Sequence, residues 1–256
     1  MQRLVILLCL AGGCAADEYG SFVILSNQAP TDPSVCAFIA DESALFITRG
    51  QLSMFSTSSY VLNPLFASRL KSEAGKELQR TVALHGARID LTVGPIEVIE
   101  NGQGSVIDID PTDPELGANV AGITKFETLF SAALPPNGGL SNASFDLVPR
   151  RVVDAIIARA QPSATRVVHA QVVGAVEAFG DLQGSEIIGD PFQYPVTICN
   201  DCVVSDLGAC AALDPGVVAR VGNPCNPFQD GIVDCCENAT GGLTCPAMST
   251  MPPALK

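Results

Sequence analysis

The clearest pattern in the chain is an alternation around positions 166–176. Val168, Ala170, Val172, Gly174 and Val176 are apolar or small, whereas the odd positions admit His169 and Gln171, with Glu177 continuing the series. Period two is the mark of a strand with one face in a core and the other partly wet. Turn residues follow at 180–185, and Ile188, Phe192, Tyr194, Val196 and Ile198 then repeat at the same period, which predicts a hairpin. Pro191 and Pro195 cannot donate to a ladder, so the second strand belongs at a sheet edge, or at least turns those positions to the unpaired side. Earlier strand candidates are 44–55, 60–70, 81–93, 96–99, 105–109, 123–134 and 144–148, separated by turns such as Asn101-Gly102. This spacing predicts a mainly β protein, an antiparallel β-sandwich of immunoglobulin-like kind.

One helix interrupts the strands. Pro149 suits a first helical position, Val152, Val153, Ile156, Ile157 and Ala160 share a face, and Gln161-Pro162 ends the pattern, so about twelve residues should pack across an open end or face of the sandwich. Near Cys199 the alternation gives way to Gly, Pro, Asn and Cys. The expected organisation is a signal peptide at 1–13, a tether and linker at 14–35, the sandwich at 36–198 and a Cys-rich region at 199–256, whose last residues, from Met248 on, should fray.

Cysteine spacing sharpens the tail. Setting aside Cys9 and Cys14 in the N-terminal segment leaves eight, of which Cys199, Cys202, Cys210, Cys225, Cys235, Cys236 and Cys245 crowd into the tail, while Cys36 stands alone. Seven is odd, so full oxidation within one chain requires a bridge from Cys36 into the tail, and such a long loop would contribute up to about 5 kcal/mol in the chain-entropy model. Adjacent Cys235 and Cys236 should reach different partners, because a vicinal bridge is strained. The rival readings are zinc at Cys199-Asn200-Asp201-Cys202, for which the tail offers no His, and a catalytic redox pair, which would want a helix after that motif.

Charge and chemistry narrow the function. With 14 Lys+Arg against 27 Asp+Glu, a net charge of -13 and no basic stripe, the chain is a poor partner for nucleic acid. Two histidines, His85 and His169, leave little room for His-dependent catalysis. The nucleophile elbow, phosphate loop, zinc-protease and dinucleotide fingerprints are absent. One acidic constellation, Asp108, Asp110, Asp113 and Glu115, could hold Ca²⁺ but lacks the glycine and distal glutamate of an EF-hand, and a solvated, Pro-stiffened loop is the plainer alternative. His169 with Gln171 and Glu177 reads either as an acid/base cluster or as the wet side of a strand. Two glycosylation sequons, at Asn142 and Asn238, matter only in a eukaryotic source. No cofactor is expected, apart from that candidate Ca²⁺.

The N-terminus fixes the compartment. Arg3 precedes an eight-residue apolar run, Leu4 to Ala11, and small residues follow, which is a secretion signal too short to span a bilayer. The segment Leu10-Ala11-Gly12-Gly13-Cys14 resembles a bacterial lipobox, with Ala11 where Leu is usual. That resemblance implies acylation of Cys14, and Ala15 in place of an inner-membrane Asp implies sorting to the outer membrane. Ordinary cleavage after Ala16 is the alternative. Together with Thr48-Arg49-Gly50-Gln51-Leu52, Tyr60 to Leu65 and the Pro191 to Cys202 stretch, the lipobox makes the chain similar to uncharacterised lipoproteins of myxobacteria and related deltaproteobacteria. The Asn63-Pro64-Leu65 step also resembles the sandwich domains of late-embryogenesis-abundant proteins. Both resemblances imply location and architecture without an activity: a non-catalytic outer-membrane lipoprotein, held to lipid through Cys14, acting as a structural module or binding an unidentified envelope protein. The alternative is a secreted carboxylate-dependent hydrolase or a calcium-dependent ligand-binding protein.

Overall fold

The computed structural model describes residues 20–246 apart from 33, 56–58, 73, 215 and 217 and the side chain of 79. Cys14, the signal segment and the stretch from Met248 to Lys256 lie outside the described residues. The fold is a mainly β sandwich with one α-helix and a disulfide-stapled tail.

Two long antiparallel strands, Val82–Glu100 and Arg166–Leu182, form the spine of the larger sheet. Its order runs Gly50–Ser53, Phe192–Cys199, Arg166–Leu182, Val82–Glu100, Gln103–Ile107, with Ser185–Ile188 added to one spine strand and Lys125–Leu134 to the other. The second layer joins Phe46–Ile47, Phe22–Gln28, Pro64–Ser68 and Leu140–Asn142. Tyr60–Leu62 pairs with Phe145–Val148 as a continuation of the same ladder past Asn63. Side chains from both layers meet in one core, including a stack in which Phe130 lies 5.7 Å from Phe66 and 5.0 Å from Phe145.

The alternation at 168–178 holds, with the even positions buried and His169, Val173, Ala175 and Glu177 half-buried on the outer face. The candidates at 81–93 and 96–99 are one strand, and its in–out phase changes twice. Val82 and Leu84 point inward, then Ala87, Ile89, Leu91 and Val93, then Ile96 and Val98. Each change falls at a register shift, first at His85 and then at Gly94-Pro95, where the strand carries an extra residue and bends. A sequence window sees the second bulge as a break, because Gly-Pro is turn chemistry. At Asn101-Gly102 both residues have positive φ, 50° and 78°, which closes the hairpin to Gln103–Ile107.

Three expectations change. The segment expected as a tether and linker carries the strand Phe22–Gln28, in which Phe22 is fully buried. Its run Phe22-Val23-Ile24-Leu25 has no alternation to separate a strand from a leader. The sheets are also not wholly antiparallel, since Gly50–Ser53 runs parallel to Phe192–Cys199 and Val204–Ala209 parallel to Val233–Glu237. Consequently the proline-bearing strand is an edge only in part: Pro195 sits just where its outer neighbour ends, and Val196 to Cys199 are paired on both sides. The helix, Arg150–Ala160, starts one residue later than expected because Pro149 is extended (ψ 149°) and caps it. Val152, Val153, Ala155, Ile156 and Ala160 are buried, and left-handed Gln161 terminates it by donating to the Ile157 carbonyl. Among the described residues no helix is long and apolar enough to cross a membrane.

Candidate functional site: a polar clasp between sandwich and tail

Four disulfides hold the tail. Cys36 pairs with Cys225 across 189 positions, Cys210 with Cys236, Cys235 with Cys245, and Cys199 with Cys202. The bridge from Cys36 into the tail and the separate partners of Cys235 and Cys236 are therefore as the cysteine count implies. Cys199-x-x-Cys202 is closed on itself at the end of a strand, with no helix after it, so its thiols are not presented as zinc ligands.

Beyond Cys225 the chain is sewn to the sandwich. Ser53 N donates to Phe228 O at 2.9 Å and Asp230 N to Gln51 O at 3.0 Å. The Gln229 amide acts as a strand would toward Val61, accepting from its N–H (2.9 Å) and donating to its carbonyl (2.7 Å). Asn226 reaches the Ser59 carbonyl at 3.1 Å. These contacts satisfy backbone groups that a sandwich edge would otherwise leave unpaired.

At the centre Asn27, Tyr60 and Tyr194 are buried and meet half-buried Asp230. The Tyr60 hydroxyl donates to Asp230 Oδ2 at 2.8 Å and lies 3.2 Å from the Tyr194 hydroxyl. Asn27 Nδ2 donates to Tyr194 (2.8 Å) and Tyr60 (3.2 Å), while Asn27 Oδ1 accepts from Asn63 N at 2.8 Å. Asp230, at positive φ, also accepts from Gln51 N at 2.7 Å and from Gln229 Nε2 at 3.2 Å. Its carboxylate thus has three donors, and no ion pair to it forms among the described residues. Burial pushes its pKa up to about 6 against the opposing pull of those hydrogen bonds. Burial likewise raises Tyr194 to about 12, and burial followed by the Asp230 charge raises Tyr60 further. The tyrosines stay neutral donors at any physiological pH, and the clasp has a single titrating member. Gly50 belongs to the same construction, because a Cβ there would stand 2.5 Å from the Tyr60 ring.

The residues singled out in the sequence fall elsewhere. Asp110 turns its carboxylate to the N–H and hydroxyl of Thr112, both at 2.7 Å. Asp113 accepts from Glu115 N and Leu116 N and pairs with Arg159 at 2.5 Å, and all of these hold its pKa low, the backbone bonds most strongly. Asp108 and Glu115 are exposed, and no group of three or more potential ligands is gathered among the described residues. Asp110 and Asp113 thus close Asx turns, the second tied to the helix through Arg159. His169 Nε2 meets Asp201 Oδ1 at 2.5 Å beside a shallow groove of about 340 Å³ that Glu97 and Gln171 share. Glu177 lines a separate depression with Arg88 and Glu127, so the three-residue cluster of the sequence is split.

Sequence reasoning missed the clasp. Its members lie at positions 27, 60, 194 and 230, and no local pattern links them. One signal was present: Tyr60 and Tyr194 occupy inward positions of strands, and a buried phenol requires a hydrogen-bond partner. No family model matches the chain, and neither a curated protein nor a solved structure shows significant similarity to it.

Proposed function

We propose that the protein is a non-catalytic, exported lipoprotein of the bacterial outer membrane. In this reading a sandwich is held to lipid through acylated Cys14 and presents a rigid, disulfide-stapled tail to an envelope partner. The observation that carries it is the Cys36–Cys225 bridge together with the two bridges inside the tail, a framework of the kind that forms and persists in oxidising, exported settings. The lipobox-like Leu10 to Cys14 segment supports the anchor. Asp110 and Asp113 are engaged by their own turns and by Arg159, which favours a structural module over a hydrolase.

The test is the intact mass of protein purified from its native membrane and alkylated without reductant. A diacylated or triacylated N-terminus at Cys14 with no alkylated thiol supports the proposal. A chain starting at Asp17, or alkylation in the tail, overturns it.

A further inference from the structure

The outer edge of the smaller sheet is Phe46–Ile47, which pairs on one side with Phe22–Gln28 and on the other with no strand among the described residues. Phe46 stands opposite Gln28, so the two side chains leave the same face of the sheet. There the Gln28 amide, 2% exposed, donates from Nε2 to Ile39 O at 2.5 Å, while its buried Oε1 has no donor among the described residues. Ala29 N donates to Leu45 O at 2.9 Å, and Asp41 N to Ile39 O at 2.9 Å. Ile39, Leu45 and Phe46 are thus gathered around residues 28 and 29, and they are 57%, 79% and 59% exposed. The Cys36–Cys225 bridge ties this segment to the tail.

We infer that Ile39, Leu45 and Phe46 form a docking surface for a partner protein whose contacting segment carries apolar side chains flanked by lysine or arginine. The inference deepens the partner-binding reading above and rests on it for there being a partner. Clustered exposed apolar side chains mark an interaction site, and the charge around them selects what binds. Residues 21–48 and 221–246, the two segments that the bridge joins, contain no Lys or Arg. Asp41 and Glu42 sit between Ile39 and Leu45, and neither forms an ion pair among the described residues. Hydrogen bonds from the N–H and hydroxyl of Ser43 hold the Asp41 carboxyl below its ordinary pKa, so it stays anionic. The nearest base along the chain, Arg49, lines the groove beside His169 on the larger sheet instead. A second copy of the chain would bring the same carboxylates face to face, and an anionic leaflet would be repelled by them, whereas cations flanking an apolar segment are attracted. A donor on such a partner also offers what Gln28 Oε1 lacks, once the Ile39 segment moves aside. The open edge at Phe46–Ile47 suits a segment that lies extended.

The disulfide-closed protein, biotinylated at its N-terminus and immobilised, is panned with a random dodecapeptide library on phage, and the enriched peptides are synthesised and titrated in solution. The expected result is enrichment of peptides with a short apolar run flanked by Lys or Arg. Their binding should weaken at least about tenfold on the double variant Leu45→Ser, Phe46→Ser, and in the same direction on Ile39→Ser as an independent variant. Asp41→Asn with Glu42→Gln should weaken it about threefold at low salt. Leu129→Ser, at a 78% exposed position of the strand Lys125–Leu134, should leave it unchanged. Every substituted side chain is exposed, and matching melting curves confirm that the variants fold. No enriched peptide, an acidic consensus, or peptides that bind the double variant as tightly as the wild type overturns the inference. So does dimerisation that the same substitutions abolish, which assigns the patch to a second copy. Selection on purified protein is independent of acylation: an unacylated native N-terminus sinks the anchor, whereas peptide binding indifferent to positions 45 and 46 sinks the surface.

Discussion

The Tyr60 hydroxyl donates to the Asp230 carboxylate at 2.8 Å, joining a strand of the sandwich to a tail residue 170 positions away. The bond has a pH signature. Asp230 has its folded pKa raised to about 6 from an ordinary 3.8, so between those values the folded state binds more protons than the unfolded one. Its contribution is fully favourable below about pH 4 and is lost as pH rises through 6, by roughly 3 kcal/mol for a shift of about two units. Asp113 and Asp234 act in the opposite sense, their stability being present above the ordinary carboxylate pKa and lost as pH falls below it. Denaturant unfolding from pH 4 to 7 should therefore show stability declining through the upper part of the window, and Asp230→Asn should flatten that decline. A wild-type curve with no decline between pH 5 and 7 contradicts the assignment.

Gly50 tests the packing of the same clasp. An alanine Cβ would meet Tyr60 ring atoms at 2.5 to 2.6 Å, and Tyr60 is fully buried with nowhere to move. Gly50→Ala should cost about 1–3 kcal/mol by overpacking, whereas Gly104→Ala, with nothing within 4 Å, should leave the melting midpoint within about a degree.

The staples should differ in weight. Cys36–Cys225 closes a loop of 189 positions and Cys199–Cys202 one of three, so chain entropy assigns the first up to about 5 kcal/mol and the second far less. Unfolding of Cys36→Ser, Cys225→Ser against Cys199→Ser, Cys202→Ser should rank them in that order. Limited proteolysis of the first pair should cut the tail before the sandwich. Equal losses would place the anchoring energy in the 226–230 segment instead.

Calcium should have no effect. With Asp110 and Asp113 engaged by their own turns and by Arg159, melting midpoints in excess Ca²⁺ and in chelator should coincide. A rise of several degrees with Ca²⁺ would show that the loop rearranges to bind it.

Local pattern determined much of this protein. Alternation at 166–198 predicted the strands at 166–182 and 192–199 and their buried face, Pro149 and Gln161-Pro162 bracketed the helix to within a residue, and the odd cysteine count required Cys36 to reach the tail. Each of these depends on periodicity, backbone restriction or counting, which need no knowledge of neighbours in space. Tertiary structure decided the rest. Whether Gly94-Pro95 ends a strand or bulges within one depends on whether its partner continues past it, as Gln171 and its neighbours do. Which cysteine Cys36 reaches, and that Asp230 comes to rest against Tyr60 and Tyr194, are set by where the tail docks. The Asp230 carboxylate acquires its partners and its raised pKa only when residues far apart in sequence close around it.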